Sequence, residues 1–371
     1  MNRDWLETSR EAGRERFRAV PDFTLRSKRP FRGLAGTRPY PALLLCSAWL
    51  WLSATGANAC DLCAISSAAN ARGESLAGFT ASLSEQFTPL RTMQFHGEAI
   101  PRGTILDEVY LDNSMTHVVL GYNFSSRFGL NLNAPLVHRR FKRYELRPTG
   151  VASEEGSVSG LGDLSLIGRW TALAKSSMKS SASVNLLGGV KLPTGDSSRI
   201  ENEVSKAAAY NALFRGGVHA HEFGGVHEHD LAPGSGSLDA IFGATANLRW
   251  DRWFWSSLFQ YYWRMEGEAD FKFGDELMIS GGPGAYIWLD RKFTLSLQAN
   301  TAFETRARDE FLGSKSNNTG LTAWYLGPQI SFTWGQRFSA NTGVDVPLRI
   351  DNNGLQNVAD YRIHGGVTWR F

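Results

Sequence analysis

Cysteine is scarce, with three residues in a chain of 371: Cys46, Cys60 and Cys63. That excludes a disulfide-stapled scaffold. Charge of one sign is also lacking. The formal net charge of +3 comes from 39 Lys and Arg against 36 Asp and Glu, and residues 1–59 hold ten of the basic and five of the acidic ones. The other 312 residues carry 29 basic and 31 acidic side chains, a net of −2. Nucleic-acid binding calls for a concentrated basic face, so no nucleic-acid partner is expected. Beyond residue 59 no apolar run reaches the ~20 residues of a spanning helix, and no G-x-S-x-G nucleophile elbow occurs. What is abundant is glycine, at 38 residues, and aromatics, at 12%. That mix suits a β-rich chain with many turns.

The first 59 residues read as an export segment. Residues 41–59, PALLLCSAWLWLSATGANA, are an apolar block followed by small residues and Ala57-Asn58-Ala59, with Arg32 and Arg38 upstream. This is the layout of a cleaved secretory signal. A membrane anchor is the alternative, but Leu43 to Trp51 is short for one. Cys60 directly after the site also admits a lipoprotein, although Ala57 stands where such signals usually have Leu. Three regions follow: 1–59, extension and signal; 60–75, a periplasmic lead containing Cys60-Asp61-Leu62-Cys63; and 76–371, the folded body.

In that body the recurring pattern has period two. At the end of the chain Tyr361, Ile363, Val367, Trp369 and Phe371 alternate with Asp360, Arg362, His364, Thr368 and Arg370. Side chains of a strand alternate between its faces, so one face is apolar and the other charged. Twelve such segments occur, near 76–88, 108–124, 127–139, 160–173, 181–195, 237–250, 253–265, 274–289, 291–304, 321–334, 337–349 and 358–371. Most exceed the ~5–6 residues of an ordinary strand and suit the ~9–11 needed to cross a bilayer at a tilt.

The connections are sorted by length. Tight turns at Ser125-Ser126-Arg127, Asp251-Arg252, Asp290-Arg291 and Gln336-Arg337 alternate with long stretches at 89–107, 140–159, 196–236, 266–273, 305–320 and 350–357. Trp170, Trp250, Trp253, Trp288, Trp324, Trp334 and Trp369 fall near strand ends. Short turns on one rim, long loops on the other, aromatic girdles and an even strand count describe a transmembrane antiparallel up-and-down β-barrel, all-β, of about 12 strands. A soluble sandwich has no reason to sort its loops.

The terminal run His364-Gly365-Gly366-Val367-Thr368-Trp369-Arg370-Phe371 resembles the C-terminal signal of bacterial outer-membrane barrels, which implies the barrel-assembly machinery as a partner through Phe371 and an outer-membrane location in contact with its lipid. Gly160-Leu161-Gly162-Asp163-Leu164, then Lys191-Leu192-Pro193-Thr194-Gly195-Asp196, then Pro233-Gly234-Ser235-Gly236-Ser237 together resemble the outer-membrane transporter family of the MetA pathway of phenol degradation, over roughly 110 to 371. The resemblance implies a channel or transporter for a small-molecule solute of hydrophobic or aromatic character.

Several groups carry chemistry. His219, His221, His227 and His229 lie in HAHEFGGVHEHD beside Glu222, Glu228 and Asp230. Imidazoles with carboxylates suit Zn or Cu, and a solvated polar loop is the other reading. Residues 201–214 have helical spacing within the same connection. Cys60 and Cys63 are spaced for a local disulfide, with metal relay or partner contact as alternatives. The polar face of the strands places Asp163, Arg169, Lys191, Asp239, Arg249, Asp345, Arg349, Arg362, His364 and Arg370 in the lumen, either lining an aqueous path or pairing into a seal. A lipid-active enzyme would need a nucleophile with a base; His117, His138 and His364 are available, but nothing marks a nucleophile. No catalytic residue, and no cofactor besides a metal at the His loop, is expected.

Overall fold

The computed structural model describes residues 77–101, 108–147, 150–214 and 225–371. The segments expected to serve as export signal (1–59) and as lead with Cys60 and Cys63 (60–75), and also His219 and His221, lie outside the described residues. The strands run β1 (Gly78–Phe95), β2 (Glu98–Ala99), β3 (Tyr110–Asn123), β4 (Phe128–Arg147), β5 (Gly150–Leu161), β6 (Ser165–Ser176), β7 (Ser180–Lys191), β8 (Asp239–Trp250) and β9 (Trp253–Trp263). They continue with β10 (Phe271–Lys272), β11 (Glu276–Leu289), β12 (Phe293–Arg306), β13 (Glu310–Phe311), β14 (Ser314–Lys315), β15 (Leu321–Trp334), β16 (Phe338–Asn352), β17 (Leu355–Ala359) and β18 (Arg362–Arg370). Helices α1 (Ser198–Phe214) and α2 (Glu228–Leu231) sit between β7 and β8.

Twelve strands form one antiparallel ring in the order β1-β3-β4-β6-β7-β8-β9-β11-β12-β15-β16-β18. The ring closes because β1 pairs with β3 along one edge and with β18 along the other. The seam is finished by the Phe371 amide, which donates to the Phe79 carbonyl at 2.9 Å. A closed ring leaves no strand edge unpaired, which an apolar surround requires.

Side-chain phase decides which face is which. On β12, Thr294, Ser296 and Gln298 are buried while Leu297 is exposed; Leu297 lies opposite Ile330 of β15, also exposed. The outer face is apolar almost throughout. Glu85 is an exception: it shares the outward phase of Leu83, and the hydroxyls of Ser114 and Thr116 donate to its two carboxylate oxygens. Those bonds offset part of the cost of a carboxyl group on a lipid-facing wall. Trp170, Trp250, Trp253, Trp288, Trp334 and Trp369 are exposed towards the short-turn rim, whereas Trp324 and Trp263 stand towards the long-loop rim.

Three expectations are corrected. The stretch 140–159 is mostly strand: β4 runs on to Arg147 and pairs with β5 in a hairpin. Likewise β1 reaches Phe95 and 350–357 contains β17, paired with the upper part of β1. The sequence hid these extensions because both faces turn polar above the apolar band, with Arg143 inward and Arg140 and Lys142 outward, so the hydrophobic alternation stops while the ladder continues. Arg349 does not line the lumen. A register shift between Trp324 and Tyr325 pairs Trp324 with Arg349 but Tyr325 with Pro347. The extra residue turns Arg349 outward, where it pairs with Asp351 at 2.7 Å, and sends Ile350 inward. A bulge of this kind flips every side chain beyond it.

The expected helix at 201–214 begins earlier, at Ser198, whose amide donates to Asp196 Oδ1 at 3.0 Å. Its face of Ile200, Val204 and Ala207 packs with Ala232, Phe271 and Phe311.

Neighbouring positions on β4 test the face assignment. Leu132 is exposed outward and Asn131 faces inward. In urea unfolding from phospholipid vesicles, Leu132→Arg is expected to cost about 2–4 kcal/mol, the figure for a cation near the bilayer midplane. Asn131→Arg should cost clearly less.

Candidate functional site

Inside the ring lies a cavity of about 200 Å3. Its apolar lining includes Leu90, Leu111, Val137, Leu321, Ile350 and Val358, and Tyr262, Tyr325 and Phe273 supply rings. Residues 229–230 and 232–235, from the connection between β7 and β8, line the same space alongside these wall residues. The site is amphipathic, because the rest of its lining is charged.

Those charges form a belt of alternating sign towards the long-loop end. Lys191 lies 2.9 Å from Asp163 and 2.7 Å from Asp239. Asp239 also receives Arg264 at 3.0 Å, and Arg264 reaches Glu276 at 2.9 Å. Next to Glu276 on the adjoining strand β12, Glu304 is gripped by both guanidinium ends of Arg362, which also donates to the Tyr325 hydroxyl at 3.1 Å. Each arginine also lies over a ring, Arg264 at 4.5 Å from the Tyr262 centroid and Arg362 at 4.0 Å from that of Tyr325. Buried ions demand such multiple partners, since desolvating an unpaired one is prohibitive.

Asp163 is the hub that fixes the inner segment. It sits in the break between β5 and β6 and accepts from the Gly195 amide at 2.9 Å, the Ser235 amide at 2.9 Å and the Ser235 hydroxyl at 2.6 Å. From the neighbouring strand β4 Arg139 donates to the Ala232 carbonyl at 2.6 Å. Gly195 and Gly234 meet backbone to backbone: a Cβ built on Gly234 would stand 2.4 Å from the Gly195 carbonyl carbon. Only glycine permits that approach. The three glycine- and proline-bearing motifs of the sequence are thus brought together at one place.

Above the cavity His229 is buried among carboxylates. Its Nδ1 lies 3.0 Å from Glu203 Oε2, and its Nε2 lies 3.7 Å from Asp230 Oδ1 and 3.6 Å from Asp309 Oδ2. Burial alone would strip its proton, but Glu203, Asp230 and Asp309 outweigh that and push its pKa up to about 10. Burial likewise opposes ionisation of Glu203, yet His229 and His227 bring it down to about 2. The His227 ring stacks on that of His229 at 5.2 Å. These carboxylates favour the imidazolium form of His229, so a metal would have to displace its proton. Glu228 completes the anchoring by accepting from Arg143 of β4 and from Arg199 and Lys206 of α1.

Of the lumen candidates, Asp163, Lys191, Asp239 and Arg362 meet in or beside the belt. Asp345 pairs with His364 at 3.5 Å below it. Arg169, Arg249 and Arg370 face inward near the short-turn rim, where Arg169 donates to Asn123 Oδ1 at 2.8 Å and Arg249 to the Asp251 carbonyl at 3.2 Å. Arg264, Glu276, Glu304 and Arg306 were not anticipated. Period two carried one step further would have found Glu304 and Arg306, which continue the inward phase of Gln298 and Ala302. Glu203 and Asp309 lie in connections, where the pattern gives no signal.

No family model and no curated protein matches the sequence. Among solved structures the chain is similar to the COG4313 outer membrane channel from Pseudomonas putida F1, with 11% identity over 81% of this chain and 98% of that one and a TM-score of 0.55. The β domain of the Bordetella autotransporter BrkA aligns at 12% identity over 80% and 100% with a TM-score of 0.41, and the CymD monoaromatic hydrocarbon channel at 8% over 86% and 95% with 0.36. At these identities the first likeness establishes the fold.

The His229–Glu203 pair makes docking of α1 and α2 depend on pH. With a folded pKa of about 10 against an ordinary 6.5, the His229 contribution is complete below pH 6.5, declines above it and is gone past about 10. With a folded value of about 2 against 4.5, the Glu203 contribution is complete above pH 4.5 and is lost as pH falls towards 2. Hydrogen exchange across 198–214 and 225–231 should therefore show its strongest protection between those limits. Glu203→Gln, which strands a buried cation, should weaken docking by about 3–5 kcal/mol at neutral pH. Unchanged protection would refute the pairing.

Proposed function

We propose that the chain is an outer-membrane channel for small, single-ring hydrophobic or aromatic compounds. The observation that carries this reading is the amphipathic cavity of about 200 Å3 enclosed by the ring. A dry cavity of about 150 Å3 is known to accept benzene, so the space suits one ring with a polar substituent. Leu90, Leu111, Val137 and Val358 offer apolar contact, while the belt offers donors and acceptors for the substituent. The similarity to an outer membrane channel supports the same reading, as does the sequence resemblance to the MetA-pathway transporters. By the usual arrangement the short turns face the periplasm and the long loops face outward. The amino-terminal export signal and the terminal Phe371 would bring the chain to that membrane and to its assembly machinery.

In this reading the segment around 233–235 acts as the inner gate, held by Asp163. Proteoliposomes should take up phenol-class solutes faster than sugars of similar mass. Val358→Trp, which fills the cavity, should slow that uptake. Asp163→Ala, which releases Ser235 and Gly195, should raise ion conductance in planar bilayers. A barrel with no flux of aromatic solutes, and no change on releasing Asp163, would contradict the proposal.

A metal-binding outer surface is the second reading, supported by His227 and His229 lying ring on ring; there the ion would replace the proton of His229. Among the described residues no group of three or more His, Cys, Asp or Glu side chains is set to hold a metal. Calorimetry with Zn or Cu on the wild type and on a variant with His219, His221, His227 and His229 changed to Ala decides it. Equal heats would end the idea.

A further inference from the structure

The short-turn rim is basic. Its five turns, 124–127, 177–179, 251–252, 290–292 and 335–337, contain six cations (Arg127, Lys179, Arg252, Arg291, Lys292 and Arg337) and two carboxylates, Asp251 and Asp290. Among the described residues Arg127, Lys179, Arg252, Lys292 and Arg337 form no ion pair. Turns this short hold their cations at the level where the wall leaves the hydrocarbon, beside the tryptophan girdle.

At one place this rim is shaped into a groove of about 860 Å3. Lys175, Ala182, Leu248 and Trp255 form one outward cross-strand row over β6, β7, β8 and β9, and Ser180, Trp250 and Trp253 form the next row below. Ala182 and Ser180 are small where their neighbours are Leu and Trp, so β7 is the floor of a trough. Trp250 and Trp253 make one bank, at 76% and 70% exposure, and Lys175 stands on the other. Arg249 borders the groove and curls under the rim to the Asp251 carbonyl. Ser177, Ser180 and Ser181 add hydroxyls at the same end.

We propose that this groove binds one anionic phospholipid of the inner leaflet, its acyl chain lying along Ala182, Leu248 and Trp255 and its phosphate held between Lys175 and Arg249. Charge complementarity selects the occupant: cations border the groove, Lys179 and Arg252 stand in the adjoining turns, and Asp251 is the sole carboxylate of those two turns. A long-stemmed lysine facing lipid bends its ammonium to the headgroup level, and indole rings favour that level too. Arg249 springs from the inner face and meets the groove at the rim, so the apolar part of the site lies on the outer wall and is independent of which solute passes.

Native mass spectrometry of the intact exported protein in detergent, titrated with phosphatidylglycerol or phosphatidylcholine, tests the proposal. The wild type should retain one phosphatidylglycerol in preference to phosphatidylcholine. Each of Lys175→Gln and Arg249→Gln should weaken that binding about fivefold, the effect of one basic residue near an anionic lipid surface. Lys175→Arg should restore it, and Arg337→Gln, on the far side of the ring, should leave it unchanged. Heat-modifiable migration on gels checks that each variant still forms the barrel. Equal retention of the two lipids, an equal loss in Arg337→Gln, or displacement by inorganic phosphate alone would each overturn the proposal.

Discussion

Unpaired backbone amides in hydrocarbon govern this structure. Each costs several kcal/mol, so a chain that crosses a bilayer with strands must close them into a ring. Here the last strand returns to the first, and Phe371 donates to the carbonyl of Phe79. Apolar side chains outside, a mixed interior and short turns at one rim all follow from that closure. It also accounts for the interrupted strands: β5 with β6, and β17 with β18, each continue one course of the wall through a break of two or three residues. At the first break the chain gains an inward carboxylate, Asp163, without leaving the ring open.

The interior meets a second constraint. A ring of this size leaves space that must be wet, filled or lined with groups able to satisfy one another. The alternating belt from Asp163 through Lys191, Asp239 and Arg264 to Glu276 takes the last course, and Glu304 with Arg362 carries on from its Glu276 end. Such pairs add little net stability but strongly penalise any arrangement that separates them. They therefore define where the 233–235 segment rests. The apolar patches between them leave the amphipathic cavity of about 200 Å3.

Much of this was legible from the chain alone, because period two reports directly on a wall with lipid on one side. The twelve ring strands, the turn rim and most inward charges were readable in segments such as 291–304 and 358–371. The pattern failed where its physical cause ended. Above the apolar band Arg140, Lys142 and Arg143 occupy both faces, so nothing in the alternation marks the β4–β5 hairpin. At Arg349 one extra residue inverted the phase, which no alternation rule foresees. Composition offers His229 either as a metal ligand or as part of a solvated polar loop; its partner Glu203 lies on a helix and Asp309 in another connection, so its burial among carboxylates is visible only in the fold.

Spin labelling in phospholipid bilayers tests the central claim most directly, with probes placed singly at Leu132, Leu297 and Ile330 and at their neighbours Asn131, Gln298 and Gln329. A closed ring with lipid outside predicts that the first three are relaxed by oxygen and shielded from a water-soluble nickel chelate. The second three should lack that lipid signature. The same relaxation at both sets, or chelate access at Leu297 and Ile330, would contradict it.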